Sequence, residues 1–523
     1  MEKHEFSALV GRLERQAGDN PRLYAIKVGA LAALGYATIV LLASLIVVAC
    51  WYTFAPILAG ERFRLPLVVA CCVGMVTLVG MIRALWVRIA EPSGLRVTRE
   101  ETPRLYMLID EVAAKMGGVQ VHSVSVSSEF NASIVQTPRW GIFGNYQNHL
   151  EIGLPLAMAL NVTELKAVIA HEMGHLSEAH GKFGAWIYRQ RVTWHALESK
   201  FNDPVGIFDQ ILGAFYGWYA PYFYAYSFVL ARNHEYVADR AAANVTSPAA
   251  IGAALTKLEL AGRFLSEIFW ARLYDQVEKQ PEPPYLPHAI MPRAFKAAES
   301  QWARPDWLQQ SLKRYAADDD THPSLAERLA ALELQPSMPV HDAEHTALVL
   351  FHPATPTLVK FFDDEWQQDT APQWRKRHTE ITEAKAKLTL LADATNAELN
   401  DKEIWEKVLL LLEIDRDVDA MEVLEDMLTR DAEFPKAHLL MGRMLLERAD
   451  DRGLQHLLLA VEQDLELTEE AGRAGYVYLT RRGRAKEADR FWTKAQELFE
   501  NPRHMAAHLG EDDDLDEAAA RAT

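Results

Sequence analysis

The clearest chemistry in this chain of 523 residues sits in five consecutive positions, His171-Glu172-Met173-Gly174-His175. On a helix, residues four apart stand one above the other, so the two imidazoles can converge on one metal ion. Glu172, beside the first of them, is placed to take a proton from a metal-bound water. A second segment, Arg232-Asn233-His234-Glu235-Tyr236-Val237-Ala238-Asp239, is again helical and puts Glu235 and Asp239 on one face. Glu235 is the candidate third ligand of a two-histidine, one-carboxylate zinc site, with one Zn2+ per chain. Asp239 is the candidate partner for the outer nitrogen of His171 or His175. His180 falls near the opposite helix face from His171, and His234 neighbours Glu235 but points elsewhere, so both read as non-ligands.

These side chains need elements to position them. Residues 155–180 read as one helical stretch, with Asn161, Thr163 and Glu164 as start signals. Residues 101–118 have helical spacing and a Gly-Gly stop, while 122–134 and 148–153 alternate like short strands. Beyond residue 236 the pattern is almost wholly helical, broken by a proline-spaced linker at 336–339. Residues 345–395 read as helices with large aromatics, Phe361, Phe362, Trp366 and Trp374. From about residue 400 three stretches each suggest a helical hairpin whose Gly, Ala and Pro positions resemble the tetratricopeptide pattern of about 34 residues. An unrelated helical bundle is the other reading. The acidic run at 511–517 is most simply a solvated tail.

Near the N-terminus, Val28 to Tyr52 carries no charge and Leu65 to Leu85 carries only Arg83, which predicts two membrane spans. Lys3, Arg12, Arg15, Arg22 and Lys27 precede the first span and Arg88, Arg96, Arg99 and Arg104 follow the second. The loop between them has only Arg62 and Arg64, so both termini and everything beyond residue 90 are expected in the cytoplasm. In a prokaryote the membrane would be the bacterial inner membrane. Three cysteines, Cys50, Cys71 and Cys72, form no disulfide framework, and a net charge of −18 argues against nucleic acid as a partner. Residues 205–231, rich in Phe, Tyr and Trp, have the length of one crossing. One crossing would put Glu235 on the opposite side from His171, and two need about 40 residues. This stretch is therefore expected either as a protein-packed helix pair or as a segment at the bilayer surface.

The segments SSEFNASIV, ELKAVIAHEMGHLSEAH, RNHEYVAD and THPSLAERLAAL, in this order, resemble the integral-membrane zinc metallopeptidases that include the HtpX proteases and the type I CAAX prenyl proteases. The resemblance covers about residues 100–335. It implies that His171, His175 and Glu235 bind zinc and that Glu172 is the catalytic base. It also implies that Asn131 and its neighbours, Ala132 among them, lie on an edge strand beside the cleft, where a peptide could add as a further strand. His322, with Arg328 further along, has three readings: a catalytic loop histidine stabilising an oxyanion, a latency ligand at the fourth zinc position, or a helix-start turn with Arg328 in a salt bridge. Arg328 is otherwise a candidate substrate-binding residue.

The expected architecture is mainly α. It comprises a cytosolic segment 1–27, a transmembrane helical hairpin over 28–88, and a zincin-like α+β protease domain with a small sheet over 95–335. A helical linker region at 336–398, a tetratricopeptide-like domain at 399–508 and an acidic tail at 509–523 complete it. The expected function is a membrane-anchored zinc endopeptidase acting on peptide or protein substrates in quality control or processing. Two helices would meet lipid and the repeats would bind protein partners. The alternative is a membrane-tethered scaffold or chaperone-like binding protein with a latent or structural zinc site. An intact Glu172 argues against that alternative, because a structural site closes its fourth position with protein and has no use for a base. Processing of prenylated peptides would want a larger intramembrane chamber than two spans provide.

Overall fold

The computed structural model describes residues 3–60, 65–85, 92–138, 146–176, 207–313, 322–338, 345–392 and 399–499, and individual positions between 183 and 194. Arg88, His180, Thr321 and the acidic tail fall outside the described residues. Two compact units emerge, residues 1–275 with 284–369, and residues 276–283 with 370–523.

The first unit opens with three helices, α1 (Lys3–Asp19), α2 (Pro21–Leu58) and α3 (Leu65–Leu85). Among the described residues, α2 alone is long and apolar enough to cross a membrane, and α3 carries a shorter apolar run, Leu65–Val76. The two helices pack on each other, and Cys71 Sγ reaches Thr53 Oγ1 at 3.2 Å.

A four-stranded sheet follows: β1 (Leu95–Val97), β2 (Ser123–Ser127), β3 (Ala132–Pro138) and β4 (Tyr146–Gly153), with α4 (Pro103–Lys115) between the first two. Their order is β1-β2-β4-β3, so β3 is an edge. It runs antiparallel to β4, with Ile134 opposite Leu150, while β2 runs parallel to β4. The alternating stretch 122–134 is thus two strands with a turn between them. The turn presses on the end of β4, where a Cβ on Gly153 would lie 1.7 Å from Glu129 O, so no larger residue fits.

Leu160 and Asn161 break the helical stretch after the sheet into α5 (Leu154–Ala159) and α6 (Val162–Gly174). Asn161 caps α6: its side chain accepts from Glu164 N at 2.9 Å, and Glu164 Oε2 accepts from Asn161 N at 2.8 Å. Helix α7 (Ile207–Val245) is one continuous helix rather than a pair. The N-terminal half of α7 buries Tyr216, Tyr219, Phe223 and Phe228 with Val10 and Leu13 of α1 and Tyr24 and Val28 of α2. Trp218 and Tyr222 remain exposed. This half is therefore protein-packed on one face.

Helix α8 (Pro248–Phe264) closes the core over α6. Its Lys257, 0% exposed, donates to both carboxylate oxygens of Glu164 at 2.8 and 2.7 Å. A π-helical turn (Leu265–Phe269) leads into α9 (Trp270–Tyr274), followed by α10 (Pro287–Ala297), α11 (Glu299–Trp302), α12 (Pro305–Lys313) and α13 (Leu325–Ala331). Helix α14 (Thr355–Ala392) begins in the first unit and continues into the second. The second unit then holds α15 (Asp401–Glu413), α16 (Asp417–Arg430), α17 (Pro435–Glu447), α18 (Arg452–Gln463), α19 (Thr468–Arg481) and α20 (Ala485–Phe499). They pack in consecutive pairs, α15 with α16, α17 with α18 and α19 with α20.

The Glu164–Lys257 pair yields a stability prediction. Removing one partner of a buried ion pair strands the other charge and costs about 3–5 kcal/mol. Lys257→Met should lower the thermal unfolding midpoint, followed by circular dichroism of the full chain in detergent. The double variant E164Q/K257M should recover much of that loss, because Gln retains the cap at Asn161 and carries no charge.

Candidate active site

Helix α6 ends at Gly174, so His171 lies in its last turn and His175 takes the C-cap position with φ −64 and ψ −21. The third member of the group, Glu235, is on α7. The two helices can approach this closely because residue 174 has no side chain. A Cβ there would lie 3.0 Å from Ala238 Cα and 3.3 Å from Ala238 Cβ. Ala238 falls between Glu235 and Asp239, so the close approach occurs where the two helices carry their functional groups.

The donor atoms converge. His171 Nε2 is 3.2 Å from His175 Nε2 and 3.5 Å from Glu235 Oε2, and His175 Nε2 is 3.5 Å from Glu235 Oε1. A tetrahedral zinc with bonds of about 2.0–2.1 Å holds its donors roughly 3.3 Å apart, so the spacing suits that ion. Among the described residues, His171, His175 and Glu235 are the group able to hold a metal.

Outside the donors lies a second layer. Asp239, 0% exposed, sets Oδ1 3.0 Å from His171 Nδ1. A carboxylate accepts, so Nδ1–H donates to it, and Nε2 is turned toward the other donors. Arg328 of α13 grips Asp239 with two bonds, Nε to Oδ2 at 2.8 Å and Nη2 to Oδ1 at 2.6 Å. Its Nη2 is also 3.8 Å from Glu235 Oε2. His322 brings Nδ1 to 3.0 Å from Glu235 Oε2 while its side chain stays 64% exposed, so it stands at the mouth of the site.

The environment separates the protonation behaviour of these groups. Burial opposes the imidazolium of His171, but hydrogen bonds to Asp239 and Glu235 outweigh it and push its pKa up to about 9. Burial and then the neighbouring His171 charge push His175 down to about 4. Glu235 is held well below the usual carboxylate range, because hydrogen bonds from His171 and His322 overcome its burial. Asp239 is lowered against its burial by Arg328 and His171. Burial, reinforced by the Glu235 charge, moves Glu172 the other way, above the ordinary glutamate range.

Glu172, His175 and Glu235 line a cleft of about 280 Å³ whose opposite wall is Ile134, Val135 and Gln136 of β3. The structure thus brings together His171, Glu172, His175, Glu235, Asp239, Arg328 and His322. Asn131 and Ala132 lie at the start of β3, away from the part that lines the cleft. Arg328 faces Asp239 rather than the cleft. His234 lines the cleft without joining the donor group, as do Ser227, Leu230 and Ala231 one or two turns before Glu235 on α7. Sequence reasoning took His234 to point elsewhere, and it did not single out Ser227, Leu230, Ala231 or the central part of β3. Helical spacing back from Glu235 and the strand alternation of 132–138 carried the signal for both.

Residues 104–335 match the model of Peptidase family M48. The match covers less than half of the chain, includes every residue of the site, and supports a zinc metallopeptidase family. No curated protein matches the chain.

The pKa ordering predicts how the metal-free protein takes up zinc. At pH 7 His175 and Glu235 already present lone pairs, and His171 holds the proton that zinc must expel. Zinc binding should release about one proton, and apparent affinity should rise about tenfold per pH unit from pH 7 to about 9, then level off. Calorimetric titration in buffers of different ionisation enthalpy checks both.

Proposed function

We propose that the chain is a membrane-anchored zinc endopeptidase that hydrolyses peptide bonds. The observation that carries this reading is the convergence of three donor atoms with Glu172 in one cleft, bordered by an edge strand. His171, His175 and Glu235 would hold the ion. When bound, zinc supplies Lewis-acid polarisation of the scissile carbonyl and lowers the pKa of a bound water.

The remaining steps belong to the chain's own residues. Strand β3, an edge among the described strands, lines the cleft at Ile134–Gln136, and an extended peptide would add there by main-chain hydrogen bonds, with Asn131 and Ala132 serving residues further along. Glu172 takes a proton from the attacking water and delivers it to the leaving amine, so that one water and one amide become an acid and an amine. Its raised pKa suits both halves of that task. Asp239 and Arg328 hold His171 in the required tautomer and orientation. His322, beside Glu235 at the mouth, is assigned to stabilising the oxyanion of the tetrahedral intermediate.

Helices α2 and α3 are proposed as a membrane hairpin with both termini and the catalytic unit in the cytoplasm. This reading draws on their apolar runs and on the basic residues that flank them. The paired helices α15–α20 are proposed as tetratricopeptide-like hairpins that bind protein partners. Turnover or processing of membrane proteins suits an anchored enzyme of this kind.

Glu172→Gln should retain stoichiometric zinc and lose about 10²–10⁴-fold in kcat on an unfolded protein substrate. Retained zinc-dependent cleavage would refute the mechanism. In the same assay His322→Ala should lower kcat about 10²-fold with zinc content unchanged; a rise in activity would favour the latency role instead. In cell fractionation, the full chain should stay with membranes through alkaline carbonate washing and dissolve only in detergent. Release by the wash would sink the anchoring.

A further inference from the structure

A second cavity in the first unit, of about 780 Å³, involves none of the catalytic residues. We infer that it binds the cationic side chain of a peptide. Three observations converge on that ligand.

The first is a pair of buried polar atoms on its wall. His288 is 2% exposed, and Asp363 Oδ1 accepts its backbone N–H at 2.8 Å and faces its Nδ1 at 3.0 Å. The carboxylate can only accept, so Nδ1 is protonated and donates to it. The other ring nitrogen, Nε2, is buried with no hydrogen-bond partner, and so is Trp366 Nε1. Native proteins rarely leave such atoms unsatisfied, and both residues line the cavity. His288 Nε2 calls for a polar partner. Trp366 Nε1 can only donate and calls for an acceptor oxygen.

The second is aromatic. Trp270, Tyr274 and Trp366 line the cavity with ring centroids 6.2 to 6.5 Å apart, forming one continuous π wall. The π-helical turn Leu265–Phe269 directly precedes Trp270, and Leu265 and Ser266 from it also face the cavity. Turns of this kind recur at functional sites.

The third is charge. The lining carries Glu129, Glu151, Glu365 and Asp369 and no lysine or arginine. A guanidinium or ammonium group stacked on the aromatic wall would meet carboxylates around it. The peptide carbonyl beside a basic side chain supplies the acceptor that Trp366 needs. A bare quaternary ammonium has no N–H to donate. The cavity also includes Ser127–Phe130, the turn that leads into β3, so it adjoins the start of the strand whose centre lines the catalytic cleft. The assignment stands independently of the proteolytic reading, because its test needs no turnover.

Saturation-transfer NMR on the full chain in maltoside micelles tests it with three probes: N-acetyl-arginine amide, its neutral isostere N-acetyl-citrulline amide, and choline. The arginine probe should bind saturably, with the citrulline probe about tenfold weaker. E365Q/D369N changes two exposed side chains and should weaken the arginine probe about tenfold while leaving zinc content and peptidase activity unchanged. Absence of saturable binding, equal binding of citrulline, an undiminished signal in E365Q/D369N, or tighter binding of choline than of the arginine probe would each overturn the assignment.

Discussion

Three donor atoms from two helices must come within about 3.5 Å of one another, and much of the first unit follows from that demand. Imidazole and carboxylate are short, so the helix backbones themselves have to approach closely. Gly174 permits this by presenting no side chain to Ala238. A methyl group there would press on the backbone of α7 at Ala238, about one turn from Glu235 and next to Asp239. Close-packed interiors transmit such a push, because they contain little free volume to absorb it. The glycine inside the metal-binding pattern is therefore a packing requirement of the neighbouring helix.

Close approach alone does not settle orientation, and buried charge does that work. Arg328 grips Asp239, Asp239 holds His171 Nδ1, and His171 turns Nε2 toward His175 and Glu235. At the other end of α6, Lys257 of α8 clamps the same Glu164 that caps the helix. Such pairs cost desolvation and add little net stability compared with apolar packing. Their value here is positional, since each joins α6 to a different helix by directed bonds. Together they hold both ends of the helix that carries His171 and Glu172.

The aromatic stretch on α7 shows how one composition serves two environments. Phe, Tyr and Trp suit a membrane interface and suit a protein core equally, since each has a large apolar body and the latter two a polar tip. In this structure the rings fill the space between α1, α2 and α7, and Tyr219 Oη donates to Leu31 O at 3.1 Å. The single uninterrupted helix carries that packing at one end and the third donor at the other.

Local features of the chemistry were legible along the chain. The i, i+4 spacing of His171 and His175, the same spacing of Glu235 and Asp239, and the cap at Asn161 and Glu164 are properties of one helix each, so periodicity reveals them. The helical character of the region beyond residue 236 was legible for the same reason. Features that depend on distant segments meeting were not. The turn that divides 122–134 into two strands fits only because Gly153 offers no side chain to Glu129, and the cleft wall at Ile134–Gln136 follows from strand order. The continuity of α7 depends on the helices that cover its aromatic face. Arg328 read equally well as a substrate contact, and only the fold placed it against Asp239. Spacing within a helix is encoded locally, whereas partners across helices and strands exist only once the chain has packed.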